Sequence, residues 1–134
     1  MHTGGCFCGA VRFTVDGALT GVTYCHCSKC RRWHGHAGAW TAADRAGVHL
    51  IETRGLVWHT VSPTVRRAFC SVCGSSLLFD ESTDPKLGIC AGAIDEPTGL
   101  REKAHIFVAS KGDYYQVPAG LPAYDTIPVR AKAT

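Results

Sequence analysis

Cys25-His26-Cys27-Ser28-Lys29-Cys30 sets three thiols within six residues, spaced C-x-C-x-x-C. Residues i and i+2 of an extended segment share a face, so Cys25 and Cys27 can present their sulfurs together. A turn after Cys27 can bring Cys30 back to the same point. Three thiolates converging on one spot suit zinc, which takes sulfur donors in tetrahedral geometry. Three protein ligands leave one corner open, and an open corner separates a catalytic zinc from a structural one. No fourth cysteine or C-x-x-H follows nearby. A histidine could close the site and make it purely structural. His26, His34 and His36 are near enough in sequence to do so, or to shuttle a proton. His26 sits between two strand cysteines, points to the opposite face, and is the weakest candidate ligand.

Two further pairs flank this motif. Cys6 and Cys8 lie between Gly5 and Gly9, and Cys70 and Cys73 form a C-x-x-C before Gly74. A closed structural zinc needs four ligands, usually two pairs from distant parts of a chain. Joining Cys6/Cys8 to Cys70/Cys73 uses every clustered cysteine and is preferred. Joining Cys70/Cys73 to two of Cys25, Cys27 and Cys30 also satisfies the spacing. Cys90 stands apart in the apolar run 87–94 and reads as a small buried residue.

Cations flank both motifs. Lys29, Arg31 and Arg32 follow the central cysteines, and Arg66 and Arg67 precede the second C-x-x-C. They could grip substrate carboxylates, arginine being the better bidentate donor. Equally, they could offset thiolate charge or stand solvated on the surface. Trp33, Trp40 and Trp58 read as core, and of the three only Trp33, beside the central motif, could line a pocket instead. His2, His49, His59 and His105 carry no signal.

The elements that must carry these residues are short. Val11, Phe13 and Val15 alternate with Arg12 and Thr14, which predicts a half-buried strand ended by Asp16-Gly17. The run 22–27 reads as extended and delivers Cys25 and Cys27. Residues 31–36 have no clear periodicity and read as a loop. A weak strand is expected over 37–41, and stronger ones over 48–52 and 56–61, rich in β-branched and aromatic residues. Further strands are expected over 76–79, 87–94 and 105–109, with a polar connection over 95–103 that could hold one helical turn. From Gly112 onward, prolines at 118, 122 and 128 predict coil. Many short strands and no helix of ordinary length predict an all-β fold of one domain over 1–122, with a coil tail over 123–134.

At 134 residues the chain can bury a core without staples, so eight cysteines need another reason. Nothing in Met1–Gly5 resembles a signal peptide, and no apolar run approaches a membrane span. The expectation is therefore a cytoplasmic protein, where clustered cysteines bind metal or catalyse and seldom form disulfides. The formal net charge of +3 treats cysteines as neutral. Seven thiolates against two Zn²⁺ would bring it to zero, so no nucleic-acid partner is expected.

The motifs together carry a resemblance. Gly5-Cys6-x-Cys8-Gly9-Ala10-Val11, Cys25-His26-Cys27-x-x-Cys30-Arg31 and Phe69-Cys70-x-x-Cys73-Gly74 are similar to those of the glutathione-dependent formaldehyde-activating enzymes, a family that includes the centromere protein V domain. Weaker echoes are Ala91-Gly92-x-x-Asp95, Ala104-His105-Ile106, Ser110-Lys111 and Gly120-Leu121-Pro122. The similarity spans roughly Gly4 to Pro122; Cys90, Trp33, His34 and His36 lie outside it. It implies a β-tent fold of short antiparallel strands pinned by a structural zinc on Cys6, Cys8, Cys70 and Cys73. It implies a second, catalytic zinc on Cys25, Cys27 and Cys30, hence two Zn²⁺ per chain. The implied activity is that of a carbon–sulfur lyase resembling S-(hydroxymethyl)glutathione synthase. A thiol such as glutathione would add to, or release, formaldehyde or a similar small aldehyde. The alternative is a non-catalytic zinc-stabilised module that binds protein or nucleic acid. A weaker reading is a thiol redox switch at Cys27/Cys30 or Cys70/Cys73.

Overall fold

The computed structural model of the protein describes residues 1–128. Its strands and single α-helix are, in order, β1 (His2–Gly5), β2 (Arg12–Val15), β3 (Val22–Cys25), α1 (Ser28–His34), β4 (Gly38–Asp44), β5 (Val48–Glu52), β6 (Leu56–Thr60), β7 (Val65–Cys70), β8 (Ser76–Glu81), β9 (Lys86–Cys90) and β10 (Glu102–Ile106). Single 3-10 turns cover Arg45–Gly47, Ala91–Ala93 and Val108–Ser110. The fold class is all-β, as the pattern of short strands predicts. Among the described residues, no helix is long and apolar enough to cross a membrane.

The chain sorts into two compact units. One comprises Met1–Thr20 with Thr41–Leu100, the other Gly21–Trp40 with the chain from Arg101 onward. In the first, β1, β2 and β5 form an antiparallel sheet with β2 in the middle. Strands β9, β8, β7 and β6 follow one another in antiparallel order. The predicted alternation in β2 holds: Phe13 and Val15 are buried while Arg12 and Thr14 are only partly covered. Phe13, Leu77, Leu78, Ile89, Val11 and Val15 make the core of this unit.

The second unit is built differently. Its β3 pairs antiparallel with the first half of β4 but parallel with β10, a departure from the all-antiparallel expectation. Strands 22–25 and 102–106 are far apart in sequence, so no turn announces their pairing. Parallel pairing sets His105 beside Tyr24 and Ile106 beside Cys25.

Three local expectations are corrected. Residues 31–36 were expected to be a loop, but Ser28–His34 are helical. Two turns are too short for an apolar stripe, and the caps define the element instead. The Cys27 side chain accepts from the Cys30 N–H at 3.3 Å, and Gly35 closes the helix in the left-handed conformation (φ 80°). Strand β7 was not expected, because Arg66 and Arg67 interrupt its apolar alternation. No helix falls within 95–103; the turn lies earlier, at Ala91–Ala93, and β10 begins at Glu102.

The region from Gly112 has little regular structure but is tied down. The Pro122 carbonyl accepts from the His105 N–H, and the Tyr124 N–H donates to the His105 carbonyl. Phe107 N–H donates to the Thr126 carbonyl. Part of the tail expected over 123–134, residues 129–134, lies outside the described residues.

Candidate metal centres

The first unit brings Cys6, Cys8, Cys70 and Cys73 together, with all four sulfurs within 4.8 Å of one another. The Cys6 and Cys8 sulfurs are 3.7 Å apart, and those of Cys8 and Cys70 are 3.8 Å apart. Cys6 opens the loop after β1, and its sulfur accepts from the Val11 N–H at 3.2 Å. Cys70 closes β7, and the knuckle after it is held by Gly74 N–H on the Cys70 carbonyl. The Ser75 hydroxyl, 3.1 Å from the Cys73 sulfur, and then the Ser75 backbone hold that thiol down at about 5.

The second unit brings Cys25, Cys27 and Cys30 together within the same 4.8 Å limit. Cys25 ends β3, Cys27 caps α1, and Cys30 lies in the first turn of α1, which explains the C-x-C-x-x-C spacing. Cys25 and Cys30 are buried and Cys27 is half-buried. Hydrogen bonds from Cys25, then from Cys30, push the Cys27 thiol far down. The same bond to Cys27 is the first cause that pushes Cys25 up. The sulfurs thus lodge one negative charge readily and resist a second. Three thiolates side by side require a cation. Either cluster could hold a metal ion.

No histidine or carboxylate among the described residues joins Cys25, Cys27 and Cys30 in that group. His26 is turned away from it. By the two-residue period, His26 shares a face with Tyr24, and His105, paired with Tyr24 across the parallel ladder, meets both. The His105 ring stacks on Tyr24 with centroids 5.1 Å apart. His26 Nε2 is 2.9 Å from His105 Nδ1, and His26 Nδ1 is hydrogen-bonded to the Tyr115 hydroxyl. Burial first, then the charges of His105, His36 and Lys111, hold His26 below the usual histidine range. His36 bonds the Tyr114 hydroxyl at 2.8 Å, and His34 meets Trp40 edge-on.

The cations sort unevenly. Lys29 and Arg32 are exposed and Arg31 is half-buried. Arg31 Nε is buried without an acceptor among the described residues. Arg66 is committed to structure, its Nε 2.9 Å from Asp80 and its guanidinium 3.9 Å over the Trp58 ring. Arg67 is buried against Phe79. Trp33, Trp40 and Trp58 are half-buried, so the expectation that these tryptophans are core residues is corrected. Cys90 is buried, with its sulfur 3.3 Å from the Ser76 hydroxyl.

Sequence reasoning missed His105, Tyr114 and Tyr115. His105 is a lone histidine in a strand, and the tyrosines lie in coil. Their adjacency to Lys111, whose ammonium donates to the Tyr115 carbonyl at 2.8 Å, was the available signal.

Among the described residues, an all-β fold thus carries one four-sulfur and one three-sulfur cluster, each of which could hold a metal ion. The sequence model of the family described as "Glutathione-dependent formaldehyde-activating enzyme" matches residues 1–110. A Halomonas elongata protein, named provisionally as such an enzyme, is 30% identical over 129 residues. That match covers 85% of this chain and 79% of the relative. The chain belongs to the glutathione-dependent formaldehyde-activating enzyme family. A crystal structure of a Rhodobacter sphaeroides protein shares the fold, with a TM-score of 0.62 and 19% identity over 91% of this chain and 98% of that one.

Proposed function

We propose that this protein is a zinc-dependent carbon–sulfur lyase resembling S-(hydroxymethyl)glutathione synthase. It would join a thiol such as glutathione to formaldehyde or a similar small aldehyde, or reverse that addition. One observation carries the reading: Cys25, Cys27 and Cys30 converge within 4.8 Å with no fourth protein donor in the group among the described residues. Zinc held there would take the incoming sulfur as a further ligand and favour its thiolate form. The chain's own residues do the rest. The α1 cap fixes Cys27 and Cys30 relative to each other, and β3 fixes Cys25. The bonds to Tyr115 and His105 keep His26 off the metal. Arg31, half-buried, is the best-placed of Lys29, Arg31 and Arg32 to meet a carboxylate of the thiol.

In the same reading, Cys6, Cys8, Cys70 and Cys73 hold a structural zinc, closed by four sulfurs and taking no part in turnover. Both sites need reduced thiols, which fits a cytoplasmic setting. The test pairs metal analysis with a substitution. The native protein should hold about two zinc per chain, and Cys27→Ser should abolish turnover of the glutathione–formaldehyde adduct while the fold persists. One zinc or none, or full turnover by Cys27→Ser, would contradict the proposal.

A further inference from the structure

An outer strand presents a row of backbone N–H and C=O groups without a ladder, and proteins cover, charge or bulge such edges to keep them from pairing. The outer strands here are β1, β5, β6 and β10. Strand β1 is covered: Gly4 bridges Ile94, and the Asp95 N–H donates to the Thr3 carbonyl. Strand β10 is covered by residues 122–124, through the bonds at His105. Strand β5 carries Glu52 and a bulge. Arg12 pairs with Glu52 and Phe13 with Leu50, which leaves Ile51 as the extra residue.

Strand β6 has none of these devices. Its sequence, Leu56-Val57-Trp58-His59-Thr60, contains no lysine, arginine, carboxylate or proline. All five residues pair with β7 in one unbroken register, and no other segment among the described residues pairs with them. Three of the five are of the β-branched and aromatic types that strands favour. The register fixes which backbone groups face outward. The Val61 N–H donates to the Val65 carbonyl, so antiparallel alternation turns Val57 and His59 toward β7 and Leu56, Trp58 and Thr60 away from it. The Leu56 N–H is used locally, on the Thr53 carbonyl.

We infer that β6 is the seam of a twofold dimer, paired antiparallel with β6 of a second copy of this chain and with the axis at Trp58. Such a seam requires an edge that complements itself. With Trp58 opposite Trp58 of the second copy, each Trp58 N–H meets the other's carbonyl. Each Thr60 N–H meets the Leu56 carbonyl of the other copy. Val57 lies opposite His59, so no like charges face each other along the strand. The same pairing brings the 53–55 turn of each copy to the 62–64 turn of the other. Arg54 is exposed on the first turn, and the Thr64 hydroxyl holds Glu81 at the second at 3.1 Å, so opposite charges meet at both ends. An unrelated extended peptide would share the backbone bonds but not this charge match. A seam this short buries less than the roughly 800 Å² per partner of a standard interface, so the dimer is weak and depends on concentration. The inference does not depend on the lyase reading.

The test is analytical ultracentrifugation of the zinc-loaded full chain from about 1 μM to about 1 mM, joined to amide hydrogen exchange over the same series. Monomer should give way to dimer as concentration rises. Exchange at the Trp58 and Thr60 amides should slow in step, while the Val57 and His59 amides stay protected throughout. Thr60→Pro removes an outward N–H at an edge position that tolerates proline. It should weaken the dimer roughly tenfold or more and leave the circular dichroism of the monomer unchanged. Arg54→Glu sets like charges against Glu81 and should weaken association most at low salt. If Thr60→Pro fails to fold, Arg54→Glu and the native amides decide. A chain that stays monomeric throughout would overturn the proposal. So would a dimer indifferent to both variants, or one that forms without slowing the Trp58 amide, since its interface would lie elsewhere. Protection of the Trp58 amide in the monomer would mean that the chain closes this edge itself, and would also refute a second copy there.

Discussion

Each ring nitrogen of His26 is taken, Nδ1 by Tyr115 and Nε2 by His105. The two sulfurs beside it in sequence face the other way, toward Cys30. Two-residue periodicity made that orientation legible in advance. The partners of His26 were not legible, because they come from 79 and 89 residues away. Asp80 makes the same point in the first unit. Burial alone would raise its carboxyl, but Arg66 at 2.9 Å and Arg45 at 2.7 Å outweigh burial and hold it below the usual range. A depressed folded pKa stabilises the fold above the unfolded value, about 4, and that contribution fades as pH falls through the folded value. Asp80→Asn should therefore cost about 1–3 kcal/mol at pH 7 in urea unfolding. Both arginines are partly exposed, so a fully buried pair would cost more. The difference from wild type should shrink as the buffer is taken below pH 4. An unchanged difference would show that the carboxylate charge is not the stabilising element.

Helix α1 and the β7–knuckle segment are where the two clusters are made. The strands around 11–15, 48–52 and 56–60 could be read from alternation and β-branched content. Helix α1 could not, because seven residues carry no period and its boundaries are set by a cysteine cap and a left-handed glycine. Strand β7 was hidden because Arg66 and Arg67 face an aspartate, a tryptophan and a phenylalanine supplied by other strands. Close approach adds a further constraint at Gly55. A Cβ there would lie 2.7 Å from the Cys70 sulfur and 2.8 Å from the Ala10 Cβ. Gly55→Ala should therefore loosen the Cys6/Cys8/Cys70/Cys73 cluster, lowering Tm and weakening retention of one metal against a chelator. It should leave the metal at Cys25, Cys27 and Cys30 undisturbed. Equal loss of both metals would contradict that separation.

In the proposed reading, the two units divide stability from chemistry. The first has the larger apolar core and the closed four-sulfur cluster; the second has polar groups in its interior and a cluster with three protein sulfurs. Sequence spacing picked out every clustered cysteine but left open which pairs join; the fold is what brings Cys6 and Cys8 to Cys70 and Cys73 and keeps Cys25, Cys27 and Cys30 as a group of their own. Spacing could not supply the polar wall of His26, His105 and Tyr115, which exists only once β10 lies parallel to β3. The division predicts opposite responses to single ligand changes. Cys73→Ser, by breaking the structural site, should lower Tm by roughly 10 °C or more, the equivalent of a few kcal/mol for a domain of this size. Cys27→Ser should move Tm little. Thermal unfolding followed by circular dichroism distinguishes the two, and equal destabilisation would make both metals structural.

The most direct measurement is the visible absorption of cobalt bound at Cys25, Cys27 and Cys30 during a titration with glutathione. The spectrum should change in saturable fashion toward that of four sulfur donors, and Cys27→Ser should abolish the response. A spectrum indifferent to saturating thiol would mean that no incoming sulfur reaches this metal, and the lyase reading would be wrong.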